Sequence, residues 1–278
     1  MSTNNNIICL IFIPIVNNYY VHLSITTQLG RILFMNNRSL YEKYHKNIKL
    51  QKKVILMNDF TYKNTLKRID KFIPKKGNAL DIGSATGTIS FYITSRGLIV
   101  DGIELSKNAI LNANLNKTAL VIKNVNFINT SIEKYNSSKE YDLIVCFEVL
   151  EHIVNDLNCL KMINRFMKKN SIFAISVPSV NAPLYKLGYL TNFDRKVGHL
   201  RRYSMSTIKA LLNRSGFIII EEFKTEGLVR SIFFTNSVLG LCLKLARFKM
   251  INNILSYLDD ITLKLFSESQ LILICKKG

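Results

Sequence analysis

The chain has few acids for its length. Lys and Arg outnumber Asp and Glu 38 to 19 over 278 residues, a formal net charge of +19. That balance points toward anionic partners: a negatively charged small molecule, an anionic membrane surface or nucleic acid. The excess is concentrated in residues 42–76, with eleven cations against three acids, and in residues 186–214, with seven against one. Paired cysteines are also missing. Cys9, Cys146, Cys159, Cys242 and Cys275 are odd in number and scattered, with no C-x-x-C spacing. This excludes a disulfide framework and a zinc knuckle, and fits reduced thiols in a cytoplasmic protein. No internal repeat is present, which excludes a solenoid. Long apolar runs are absent too. Residues 7–16 are ten apolar positions broken by Pro14, and the uncharged stretch 231–243 is thirteen long, both well short of the roughly 20 residues a membrane-spanning helix needs. The polar S-T-N-N-N before the first run lacks the positive charge of a secretory signal. What remains is a chain 48% hydrophobic, enough to bury the core of one α/β domain.

The most informative segment is A-L-D-I-G-S-A-T-G at 79–87, followed by L-I-V-D-G-I-E-L-S at 98–106. The first reads as a strand, a turn of small residues and the start of a helix; the second as another strand ending on an acid. Gly83 and Gly87 remove side chains where backbone could approach a nucleotide-like ligand. Glu104, 21 positions after Gly83, falls where a carboxylate can accept from both ribose hydroxyls. The G-x-G-x-x-G triplet of dinucleotide sites is absent, and Asp81 stands at the strand end, where an anion would repel a pyrophosphate and suit a cationic ligand.

The pattern D-x-G-x-x-x-G with a downstream acid resembles the class I S-adenosylmethionine-dependent methyltransferases. E-Y-D-L-I-V-C-F-E-V-L-E-H-I at 140–153, the strand S-I-F-A-I-S-V-P at 171–178 and G-H-L-R-R-Y-S at 198–204 extend the resemblance from about residue 60 to the C-terminus. It implies an α/β fold: a doubly wound seven-stranded sheet in the order 3-2-1-4-5-7-6, with strand 7 antiparallel. By the same resemblance, Asp81 holds the methionine ammonium of S-adenosylmethionine, and Gly83, Ser84, Ala85 and Gly87 form the loop that closes on the cofactor. Glu104 binds the ribose, Leu105 packs on the adenine, Ser131 and Ile132 flank the adenine amino group, and the backbone at Phe147 orients the methionine end. Two positions depart from the family pattern. Ala85 replaces a common middle glycine, and Ser131 stands where an Asp is frequent, so its hydrogen bond lacks a carboxylate's charge.

The chemistry-bearing candidates are Glu148, Glu151, His152 and His199. A helix starting near Glu148 would put the first three on one face at i, i+3 and i+4, with His199 arriving from the loop after the fifth strand. Two carboxylates and two imidazoles suit an octahedral divalent ion, Mg or another. The E-V-L-E-H pattern is similar to that of ubiquinone-biosynthesis O-methyltransferases and of small-RNA 3′-terminal methyltransferases, families in which such residues bind metal. The competing expectation is metal-free: His152 as general base or substrate contact, assisted by Glu151 and His199. Arg201, Arg202 and Tyr203 are candidates to grip a phosphate or carboxylate of the acceptor, or else a basic helix cap.

The expected activity is O-methylation of a small or lipid-linked anionic acceptor. Alternatives are an RNA ribose methyltransferase, disfavoured by the lack of an appended RNA-binding domain, and a cofactor-binding regulator without activity. The expected organisation is an apolar N-terminal extension, 1–35, which a start at Met35 or Met57 would shorten or remove, and a methyltransferase domain, 36–278. A helical insertion, 228–267, separates strands 6 and 7. Ile254, Leu258, Ile261 and Leu265 form a helical stripe there, leaving three uses open: a cap on the domain, a homodimer face, or peripheral contact with a membrane.

Overall fold

The computed structural model describes residues 38–278 apart from 44, 47–49, 237–238, 240–245 and 247. The extension 1–35, Cys9, Cys242 and part of the 231–243 stretch lie outside the described residues. Seven strands form one sheet: β1 Asn78–Ile82, β2 Ile99–Glu104, β3 Val125–Asn129, β4 Tyr141–Phe147, β5 Met167–Pro178, β6 Phe217–Thr225 and β7 Gln270–Lys277. Their order is β3-β2-β1-β4-β5-β7-β6. β7 is antiparallel to both neighbours, as the sequence reading expects.

The central strands are apolar in nearly continuous runs because helices cover both faces. Leu80, Ile82, Ile144, Cys146, Phe173 and Ile175 point to one side, packing with Leu160 and Ile163 of the helix Asp156–Arg165 and with Ile208 and Leu212 of the helix Met205–Arg214. The alternate residues Ala79, Leu143, Val145 and Ala174 face the other side, against Phe91 and Ile93 of the helix Thr88–Ser95. The described cysteines, Cys146, Cys159 and Cys275, are free and buried. Side chains fix where the helices begin: Ser106 accepts from Ala109 N at 3.1 Å ahead of the helix Lys107–Ala119, and Ser204 accepts from Thr207 N at 3.1 Å, each satisfying an orphan donor of a first turn. β1 leads to β2 on one side and pairs with β4 on the other. This switch in direction opens a crevice at the carboxyl ends of the strands.

Among the described residues, the insertion between β6 and β7 has the helices Leu228–Thr235 and Lys249–Phe266. The second is turned opposite to the usual sense. Asn252, Ser256 and Asp259 are buried, while Ile254, Leu258 and Leu265 of the expected apolar stripe are exposed. Ile261, the fourth stripe residue, is half-buried. Polar anchors set this orientation: Arg230 pairs with Asp259 at 2.9 Å, Asn252 donates to Asn58 O, and Leu228 N donates to Thr262 Oγ1 at 3.0 Å. Among the described residues, no helix is long and apolar enough to cross a membrane.

Candidate active site

β1 ends at Ile82, and the chain turns through Gly83, Ala85 and Gly87, all at positive φ (+75°, +46° and +89°). The glycines are required by packing within the protein itself. A Cβ on Gly83 would lie 2.3 Å from Val149 Cγ2, and one on Gly87 would lie 2.6 Å from Phe127 Cζ and 2.7 Å from Phe91 Cζ. The space they vacate is filled by the protein, so they permit the loop's backbone conformation and its packing on β4 and β3. Gly83 N and Ser84 N donate to Ile103 O at 2.9 and 3.1 Å, which ties the turn to β2.

Two buried carboxylates flank this loop. Asp81 accepts from Ser90 Oγ at 2.6 Å. Burial is the main cause that pushes its carboxyl up to about 6; the Ser90 hydrogen bond opposes this and the charge of Glu104 adds to it. Glu104 accepts from Ala85 N at 3.1 Å through Oε2 and from Ser106 N at 2.8 Å through Oε1. Burial raises its pKa, opposed by those backbone donors. Glu104 therefore locks the loop and retains lone pairs for a further donor. Leu105 and Phe147, at the ends of β2 and β4, are half-buried, whereas the side chain of Ile132 packs wholly in the core.

The second cluster follows β4. Glu148 does not begin a helix. Its N–H donates to Ser176 O of β5 at 3.2 Å, extending the strand pairing, and its φ is +54°. A single 3₁₀ turn, Leu150–His152, comes next, and the α-helix starts only at Asp156. Glu151, His152 and His199 nonetheless converge, with ligand-type atoms within 4.8 Å of one another. Glu151 is completely buried and lies 3.7 Å from Nε2 of each histidine. Glu148 stays out of this group: its Oε1 accepts from Ser176 Oγ at 2.7 Å and from Gln270 Nε2 at 3.0 Å.

The outer contacts define the histidine tautomers. His152 Nδ1 donates to Gly198 O and His199 Nδ1 donates to Asp194 Oδ1, both at 3.0 Å. Each Nε2 thus turns a lone pair toward the Glu151 carboxylate. Both Nε2–Oε1 separations, 3.7 Å, are too long for hydrogen bonding. Burial first, then the charge of Glu148, raises the Glu151 pKa well above the carboxylate range. Burial and the His199 charge pull His152 down to about 4.

The expected acceptor grip at 201–203 is a scaffold instead. Arg202 donates to both oxygens of Asp194 at 2.6 and 2.7 Å, Arg201 pairs with Asp156 at 2.8 Å, and the buried Tyr203 donates to Asp156 Oδ2 at 3.1 Å. Arg202 thereby fixes the carboxylate that orients His199. Tyr41, absent from the sequence-based set, packs its ring edge-on against His152 at 5.5 Å, and its pKa is raised by burial and by Glu151 and Glu104. Next to it, Glu42 accepts from Lys107 N at 2.8 Å and Asn108 N at 3.0 Å. Residues 41–42 thus bridge the two carboxylate clusters, and no motif spacing marks them.

Tyr41 Oη, Ser84 Oγ, Ser131 Oγ and both oxygens of Glu151 are buried without a hydrogen-bond partner among the described residues. Buried polar atoms are rarely left unpaired, so those that follow the carboxyl ends of the strands are candidates to meet a ligand. The fold is that of a class I S-adenosylmethionine-dependent methyltransferase. Residues 73–232 match the family described as "Methyltransferase domain", and the chain belongs to it. It is 30% identical over 111 residues to the ubiquinone biosynthesis O-methyltransferase of Rickettsia typhi (strain ATCC VR-144 / Wilmington), covering 40% of this chain and 45% of that protein. The counterpart from Rickettsia bellii (strain OSU 85-389) is 31% identical over 111 residues, 40% of this chain and 46% of its own length. The chain thus spans less than half the length of the curated relatives it matches. Among solved structures, the N-methyltransferase NodS from Bradyrhizobium japonicum WM9 with S-adenosyl-L-homocysteine has a TM-score of 0.57 at 14% identity, covering 87% of this chain and 99% of its own. Coclaurine N-methyltransferase bound to N-methylheliamine and S-adenosylhomocysteine scores 0.56 at 14% identity, covering 91% and 88%. These likenesses speak for the shared fold.

Proposed function

We propose that the protein methylates a hydroxyl oxygen of a small or lipid-linked anionic acceptor, and that Glu151, His152 and His199 hold a divalent metal ion beside it. Asp81 would pair with the cofactor's ammonium and Glu104 with its ribose hydroxyls, while Ser131 supplies an unsatisfied oxygen for the adenine amino group. S-adenosylmethionine brings an activated methyl on a sulfonium, so the chain has to align an oxygen nucleophile and manage one proton.

The carrying observation is the convergence of Glu151, His152 and His199, with ligand-type atoms within 4.8 Å of one another and both Glu151 oxygens unpartnered among the described residues. That donor set would hold a cation, and the Asp194 and Gly198 contacts are the kind of outer partners that metal-bound histidines have. Such an ion would supply Lewis acidity, lowering the pKa of a nearby hydroxyl. Two nitrogens and one carboxylate suit manganese, iron, cobalt or zinc better than magnesium. Burial and the His199 charge pull the His152 pKa down to about 4 and so hold it neutral, and the neutral imidazole is the form that binds a metal. The oxygen acceptor follows the curated relatives, named as O-methyltransferases. The anionic character rests on the basic balance of +19, since Arg201 and Arg202 are engaged by Asp156 and Asp194. The free buried thiols fit a cytoplasmic location.

The test is label transfer from S-adenosylmethionine to carboxylated phenols, catechols and matched amines. Methyl ethers should form, chelation should stop their formation, manganese should restore it, and Glu151→Gln should abolish it. Amine products, or turnover surviving both chelation and Glu151→Gln, would overturn the reading.

A further inference from the structure

The outward stripe on the helix Lys249–Phe266 continues the question raised by its inverted packing. Leu265 is 70% exposed while Asp259, on the opposite side, is 1% exposed. Met250, Ile254, Tyr257, Leu258 and Phe266 are exposed with Leu265. The helix cannot roll to hide them, because the buried Arg230–Asp259 pair and the Asn252–Asn58 contact hold its polar side to the body; breaking a buried pair leaves an uncompensated charge. A second apolar surface projects from the segment after β5. Leu187 and Tyr189 are 68% and 72% exposed, with Tyr185 and Lys186 also exposed. The helix Leu228–Thr235 packs against both the helix Pro183–Lys186 and the helix Lys249–Phe266, so it joins the two surfaces. Both leave the sheet at the end where Pro178 of β5 and Thr225 of β6 meet Gln270 of β7. That is the end that carries the active site.

We infer that this surface docks the enzyme on an anionic lipid bilayer. The charge around it selects that occupant. Lys186, Arg195, Lys196, Lys249 and Lys264 are exposed on these elements. Of their acids, Asp194 and Asp259 are engaged by Arg202 and Arg230, leaving Asp260 exposed. A two-fold contact with a second copy would bring this basic surface against itself. Lipid headgroups instead neutralise it, while tyrosines and leucines enter the interface as they do in monotopic helices. The segment after β5 also carries His199, whose ring is 6.1 Å from that of Phe193. Docking therefore sets the membrane beside one wall of the active site. The inference is independent of which atom is methylated.

The test is co-sedimentation of the full chain with phosphatidylcholine vesicles, with and without phosphatidylglycerol, alongside light scattering in solution. The protein should be monomeric and sediment with the anionic vesicles only. Leu187→Ser/Tyr189→Ser/Leu265→Ser should reduce partitioning at least about 100-fold, since each exposed side chain of this size is worth roughly tenfold or more on burial. S-adenosylhomocysteine affinity serves as the folding control and should not change. Lys186→Glu/Lys196→Glu should weaken binding to anionic vesicles selectively. No sedimentation of the wild type, sedimentation indifferent to anionic lipid, or triple-variant binding equal to wild type would each overturn the inference. A dimer in solution that the triple variant dissolves would overturn it in favour of a protomer contact.

Discussion

Replacing Asp81 by Asn should make the empty protein more stable and bind its cofactor less well. The Asp81 carboxyl is pushed from its ordinary 3.8 to about 6, chiefly by burial. At 1.36 kcal/mol per pH unit, holding the charged form in the fold costs about 3 kcal/mol at neutral pH. The cost is full above pH 6, where folded and unfolded chains both carry the charge. It fades as pH falls through 6 toward 3.8, because the folded carboxyl takes up a proton before the unfolded one does. Asn keeps an oxygen that can accept from Ser90 Oγ, so the substitution removes the charge with little change in packing. Urea denaturation of Asp81→Asn should therefore show a gain approaching about 3 kcal/mol at pH 8, shrinking to nothing near pH 4. Calorimetry at pH 8 should show the opposite for ligand: S-adenosylhomocysteine binding weakened by about 1.5–3 kcal/mol through loss of a charge-assisted contact to its ammonium. A gain independent of pH, or a net destabilisation at pH 8, would refute the link between burial, pKa and cofactor recognition.

Glu104→Ala should weaken S-adenosylhomocysteine binding by roughly 1–3 kcal/mol in the same titration, since it removes the proposed ribose acceptor and releases the Ala85 and Ser106 amides. Gly83→Ala should destabilise the fold by more than about 1 kcal/mol in urea, because it combines a left-handed φ with a 2.3 Å encounter with Val149. Asp194→Asn should lower metal affinity by roughly 10–100-fold while sparing cofactor affinity, since it disturbs the partner that orients His199.

The positions of Asp81 and Glu104, the acids proposed to meet the cofactor, were legible because their surroundings are local: a strand end, a turn and the next strand end place them whatever the rest of the chain does. The second cluster was legible in composition but not in geometry. Nothing in E-V-L-E-H shows that the N–H of Glu148 remains paired with β5, which keeps it out of a helix and sends its carboxylate to Ser176. Charge was visible at Arg201 and Arg202, but the capture of Arg202 by Asp194, eight residues earlier, depends on the turn of the chain between them. Periodicity revealed the stripe of the helix Lys249–Phe266 but cannot say which side faces the body, and here buried polar pairs overrule the usual apolar-inward rule. Tyr41 carries no spacing signal at all; it reaches His152 only because residues 38–43 fold back as a helical turn near β2.

The most direct test of the account is titration of chelator-stripped protein with manganese in a calorimeter, read beside the same titration of His199→Ala. Wild-type protein should bind one ion per chain, and His199→Ala should lose that binding while its affinity for S-adenosylhomocysteine is kept. Equal manganese binding by the two proteins, or none by the wild type, would contradict the assignment of Glu151, His152 and His199 as the metal centre.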